Sequence, residues 1–165
     1  MTIGGYTIGM RTFKTSIAVA ICILLFHYTN RGAPMIASLA AIFSLRENWR
    51  MSFKFSKNRI LGNSIGALTA TLVVLIQNIF GAHFLIEVIG VPLAIILIIV
   101  ICDLLKNNTG IIGGTAAFLI IYYTIPVDDA LLYTIQRIFD TFIGAFIAVL
   151  VNWLIPYRSK NKIHS

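Results

Sequence analysis

Acidic residues are scarce in this sequence: six Asp and Glu stand against thirteen Lys and Arg, for a formal charge of +7. Charged residues of both signs make up only 12% of the chain, whereas apolar types make up 58% and the mean hydropathy is +0.89. Soluble domains carry about a quarter of their residues charged, so this shortage excludes water as the main solvent. Cysteine is limited to Cys22 and Cys102, each inside an apolar run with no thiol or histidine at ligand spacing. That excludes a disulfide framework and a zinc site, and both cysteines read as small core residues. The histidines stand apart, and a nucleophile elbow, an H-E-x-x-H helix and a Walker A loop are missing. Neither an enzyme nor a bound metal or cofactor is expected.

What the sequence does contain is long apolar runs. A bilayer core of about 30 Å needs about 20 mostly apolar residues per helix. Marking such runs gives six candidate spans, at about 11–29, 33–46, 59–80, 84–105, 109–127 and 133–155. Arg11 and Lys14 before the first run resemble the start of a signal peptide, but His27 to Arg31 lack the small-residue cleavage pattern, so this run is kept as a helix. The second run is short, and charge decides that it spans. With the N-terminus inside, eleven of the thirteen basic residues fall on the cytoplasmic side, while the outer connections hold Arg31, His83, Asp128 and Asp129. The expectation is therefore a cell-membrane, multi-pass, all-α protein with both termini cytoplasmic. Residues 1–157 form its membrane domain and 158–165 a short basic tail. The basic residues lie between apolar runs, which points to lipid headgroups and away from nucleic acid. Residues 49–57 alternate apolar and polar with period two, which predicts an extended or irregular segment at headgroup level.

An internal repeat is visible. Arg59 to Val73 and Arg137 to Val151 share the frame R-I-x₄-I-G-A-x₂-A-x₂-V at an offset of 78 residues. Three spans separate the copies, so the chain reads as two inverted three-helix repeats, an arrangement used by secondary transporters. On one helical face the frame places Arg59, Gly62, Asn63 and Gly66, and in the second copy Arg137, Asp140, Thr141 and Gly144. A charge in mid-membrane costs about 2.5–3.5 kcal/mol, so these residues are expected to face protein or water, Arg137 and Asp140 offsetting each other at i, i+3. Arg59, Asn63, Arg137, Asp140 and Thr141 are the candidate substrate pathway; the alternative is arginines that only snorkel to headgroups. Gly62-x₃-Gly66, Gly110-x₃-Gly114 and Ala33-x₃-Ala37-x₃-Ala41, together with Gly144, read as helix-packing faces. Glu87 and Asp103 read as interfacial, Asp103 beside Lys106.

The arginines opening helices three and six, R-x-x-G-x-x-x-G from Arg59 to Gly66, and R-I-x-D-T-x-x-G-A running on to Asn152 and Pro156 resemble the bacterial aromatic acid exporter family. That family is grouped with the fusaric-acid-resistance-like proteins and the plant malate channels. The likeness runs from Arg11 to Pro156 and departs at Asn63, where the family usually has threonine. It implies a six-helix membrane domain, which in relatives precedes a soluble cytoplasmic region, and export or facilitated passage of small organic anions, including aromatic acids. The other expectations kept open are an assembly subunit of a membrane complex and an anion channel. A homo-oligomer in the lipid bilayer is expected, because short helices with small-residue faces leave little interior.

Overall fold

The computed structural model describes residues 2–3, 6–7, 9–81 and 83–155; the expected basic tail, 158–165, lies outside the described residues. After a two-residue antiparallel pairing of Thr2–Ile3 with Tyr6–Thr7, the described residues form helices joined by short connections. Helix α1 is Met10–Thr29, α2 Met35–Ser44 and α3 Trp49–Phe80. A turn at His83–Leu85 and a π-helical turn at Ile86–Gly90 lead into α4, Val91–Leu104. Short 3₁₀ turns then precede α5, Ile111–Thr124, and α6, Ala130–Leu154. The wide turn sits just ahead of Pro92, whose missing N–H leaves a carbonyl of the preceding turn without its usual donor. Gly81 closes α3 in the left-handed region, at φ 63°, donating its N–H to the Gln77 carbonyl.

Among the described residues, four helical stretches are long and apolar enough to cross a membrane: Met10–Thr29, Trp49–Phe80, Ile86–Leu104 and Ala130–Leu154. Helix α2, at 10 residues, falls short of a bilayer core, as does α5 at 14. Packing is inside-out relative to a soluble protein. Alanine, glycine, serine and threonine fill the interior, while Leu24, Leu72, Ile79, Phe139 and Phe146 are exposed. Lipid tails solvate such side chains as well as a protein core does, and small residues let backbones approach. The chain is thus a multi-pass membrane protein in contact with the bilayer.

One expectation is overturned. Residues 49–57 are not extended: α3 begins at Trp49 and runs for 32 residues. The alternation of aromatics concealed a second pattern, Ser52 and Ser56 one turn apart and both buried, while Trp49, Met51 and Phe53 stay exposed. In a bilayer the helix turns its small polar face inward, so the positions of the large apolar residues do not report the packing face.

Two cores result. Ala18, Cys22, Phe26, Ala37, Ala41 and Ala148 join α1 and α2 to α6. Ala67, Ala70, Val91, Ile98, Cys102 and Phe118 join α4 and α5 to α3. Each core therefore combines two consecutive helices with the third helix of the other half of the chain, and α3 and α6 meet at the centre. Both cysteines are buried and free, as their apolar setting suggested.

Candidate functional site

The central helices run antiparallel along a polar seam. Asn152 Nδ2 donates to Ser52 Oγ at 2.9 Å and Asn63 Nδ2 donates to Thr141 Oγ1 at 2.9 Å. The Thr71 and Thr134 hydroxyls bond at 2.7 Å. Ser56 Oγ donates to the Ala145 carbonyl at 3.3 Å, and Thr134 Oγ1 to the Ala67 carbonyl at 3.4 Å. Adding 78 to Ser56 and subtracting 78 from Ala145 turns the first of these bonds into the second. Asn63 and Thr141 are themselves 78 residues apart, so at the middle of the seam the two copies of the frame bond to each other through the same position.

Backbones approach closely around this point because glycine permits it. A Cβ on Gly62 would land on the Gly110 carbonyl, one on Gly66 on the Gly114 carbonyl, and one on Gly144 on the Ala37 carbonyl. The glycine pairs that the sequence offered as separate packing faces thus pack against each other, α3 on α5, while Gly144 on α6 meets the alanine face of α2.

Arg59 and Arg137 each lie one turn before the Asn63–Thr141 contact on antiparallel helices, so they flank it from opposite sides. Arg137 is 4% exposed; its Nη1 reaches only the Tyr133 hydroxyl at 3.5 Å, a weak bond, and its buried Nε has no hydrogen-bond partner. Arg59 Nε is likewise buried and without a partner, as is Asn63 Oδ1. The two guanidinium charges act on one another, and among the described residues no carboxylate pairs with either. Gly113 makes room here, for a Cβ would sit 2.6 Å from Arg59 Nη1 and 3.0 Å from Asn63 Oδ1. What remains is a doubly cationic seam, buried at Arg137 and half-buried at Arg59, with spare N–H donors, chemically suited to a small oxyanion.

The sequence pattern described as aromatic acid exporter family member 1 matches residues 6–155. The chain belongs to the aromatic acid exporter family. It is similar to the UPF0421 protein YgaE of Bacillus subtilis (strain 168), 28% identical over 160 residues, which cover 96% of this chain and 43% of that protein. The chain thus spans less than half the length of this relative. No solved structure matches.

Of the candidate pathway residues, Arg59, Asn63, Arg137 and Thr141 come together in the seam, but Asp140 does not. Its carboxylate pairs with Arg31 in the α1–α2 connection, Arg31 Nε to Asp140 Oδ1 at 2.9 Å, the one ion pair among the described residues. The expected Arg137–Asp140 offset is therefore corrected. Positions i and i+3 share a helix face only broadly; Arg137 is buried, while Asp140 turns to a groove of about 440 Å³ shared with Asn30, Gln136 and Phe139. Asp103 makes no ion pair with Lys106, whose backbone N–H instead donates to the Asp103 carbonyl at 2.9 Å. Glu87 accepts the Tyr123 hydroxyl at 3.1 Å on the exposed surface. The letters G-x-S-x-G occur at Gly62 to Gly66, but in mid-helix, without the strained strand-to-helix turn of a nucleophile elbow.

In this member of the aromatic acid exporter family a further polar cluster escaped sequence reading. Lys14, 1% exposed, donates to Asn152 Oδ1 at 2.7 Å. The Asn152 amide donates to the Arg46 carbonyl at 2.9 Å as well as to Ser52 Oγ, and the Arg46 N–H donates to Ser52 Oγ at 2.7 Å. One asparagine thereby ties α1, the α2–α3 turn, α3 and α6 together. Asn152→Ala strips the buried ammonium of its partner and is expected to cost about 3 kcal/mol. Lys14→Met combined with Asn152→Leu should recover most of that loss in thermal unfolding of the detergent-solubilised protein.

Proposed function

We propose that this chain is a cell-membrane secondary exporter or facilitator of small organic, including aromatic, acid anions that pass along the seam between α3 and α6. The observation that carries the reading is the pair of guanidiniums, Arg137 buried and Arg59 half-buried, astride the Asn63–Thr141 bond with no carboxylate paired to either among the described residues. An uncompensated buried charge is expensive, and a passing carboxylate would supply the missing counter-charge for as long as it stays.

The reading includes six spans arranged as two inverted three-helix repeats, with α2 and α5 as short spans in mid-bilayer. The 78-residue symmetry of the Ser56–Ala145 and Thr134–Ala67 bonds supports it, as does the exchange of third helices between the cores. Both termini are then cytoplasmic and residues 158–165 form a basic tail at the inner face. The reading also includes a homo-oligomer, formed through the small-residue helix faces.

Topology tests it first. In a Cys22→Ala, Cys102→Ala background, an impermeant maleimide applied to intact cells should label Asp128→Cys and leave Lys106→Cys unlabelled until the membrane is opened. Labelling of Lys106→Cys in intact cells overturns the arrangement. Transport is then tested by efflux of labelled benzoate from preloaded cells, which should rise with expression of the chain and fall to background in Arg137→Gln.

A further inference from the structure

Beside the seam lies a cleft of about 300 Å³, lined by Phe43, Arg46, Phe55, Arg59, Thr109 and Ile112. It lies toward the α2–α3 turn, and none of the residues discussed so far except Arg59 and Arg46 belongs to it. Arg46 stacks on Phe55, its guanidinium carbon 3.9 Å from the ring centre, and Arg59 stacks on Phe43 at 4.6 Å. A stacked guanidinium has a face covered by the ring and keeps its N–H edges for an acceptor in its own plane. Both edges are underused, since Arg46 Nε and Arg59 Nε are buried without a hydrogen-bond partner.

Arg46 is held in place by its backbone. Its N–H is bonded to Ser52 Oγ at 2.7 Å and its carbonyl to the Asn152 amide at 2.9 Å, so the turn that carries it is anchored to α3 and α6. The cleft wall contains two cations and no acid. On its far side Arg46 borders a second cavity of about 180 Å³ with Arg11, Lys14 and Glu47, where cations again outnumber acids. Arg59 is shared between cleft and seam, its Nη1 lying close to Gly113 beside Asn63.

We propose that this cleft is the loading site of the seam: it binds a small amphiphilic carboxylate, with the oxygens on the N–H edges of Arg46 and Arg59 and the apolar body on Phe43 and Ile112. Arg46 makes the first contact and Arg59 takes the anion on toward Arg137. The role as a loading site rests on the transport reading above; the binding itself does not.

The test uses the purified full chain in phosphatidylcholine nanodiscs with benzoate as probe. Benzoate should protect Arg46 of the unmodified chain from phenylglyoxal, read by peptide mass spectrometry. Arg46→Gln should weaken benzoate binding in equilibrium dialysis at least tenfold and Phe55→Leu several-fold, with Asp128→Asn unchanged. In oriented vesicles Arg46→Gln should raise KM for flux from the Arg46 side at least fivefold while KM from the opposite side is kept. Benzoate binding that is lost in Arg46→Gln, in a protein without flux, sustains the site and defeats the transport reading. Saturable flux with KM unchanged on both sides, or no protection of Arg46, defeats the site and leaves the transport reading standing. Occupation by an anionic lipid headgroup instead of a free carboxylate would appear as loss of benzoate protection when phosphatidylglycerol is added, and would also overturn the proposal.

Discussion

Gly66→Val and Gly144→Val should each abolish most of the folded protein. At both positions a Cβ would occupy the place of a backbone carbonyl on the facing helix, Gly114 in one case and Ala37 in the other. A carbonyl cannot rotate away as a flexible side chain can, so the helices must separate along their length. Overpacking of a well-filled interior costs about 1–3 kcal/mol even where side chains can yield, and here the obstacle is backbone. Gly9→Ala, where a Cβ meets nothing within 4 Å, is the matched control and should fold normally. Size-exclusion profiles of fluorescently tagged variants read the outcome: a monodisperse peak for Gly9→Ala, and aggregated or absent material for the two valine variants. Normal peaks for all three would mean that the close helix crossings do not exist.

The second large effect is expected at the arginines. Arg59→Lys and Arg137→Lys should keep expression and folding yet reduce anion flux at least tenfold. Lysine preserves the charge and the reach, so arginines that only snorkel to headgroups would be replaced without loss. A carboxylate held by a planar fork of N–H donors loses its second bond when the fork becomes a point charge. Arg137→Ala should not be relieved by Asp140→Asn, because Asp140 is already paired with Arg31; Asp140→Asn should instead relieve Arg31→Gln. The check is flux at matched protein levels, with thermal unfolding alongside to separate folding from passage.

Much of this was legible in the sequence, and the parts that were not share a cause. The apolar runs mark the helices because every membrane helix must satisfy its own backbone, so length and hydropathy suffice. The 78-residue frame identified Asn63 and Thr141 as equivalent, and the small-residue spacing identified Gly62, Gly66, Gly110, Gly114 and Gly144 as contact positions. What the sequence could not reveal was which neighbour each face meets. Asp140 was assigned to Arg137 three residues away, whereas its partner is Arg31, 109 positions off in sequence. Lys14 and Asn152, separated by 138 positions, gave no local sign of their bond. Gly113 was passed over because it lies outside the glycine spacing motif, although its lack of a side chain admits Arg59. The start of α3 was misplaced because the apolar alternation of 49–57 was read as it would be in water. In lipid, the signal was Ser52 and Ser56.

The most direct test of the central claim is flux of labelled benzoate into proteoliposomes containing only this chain and phospholipid. Uptake should saturate with benzoate concentration, be inhibited by unlabelled benzoate, and fall at least tenfold in Arg137→Lys. Uptake no greater than in protein-free liposomes, from a preparation shown to be folded and correctly oriented, would contradict it.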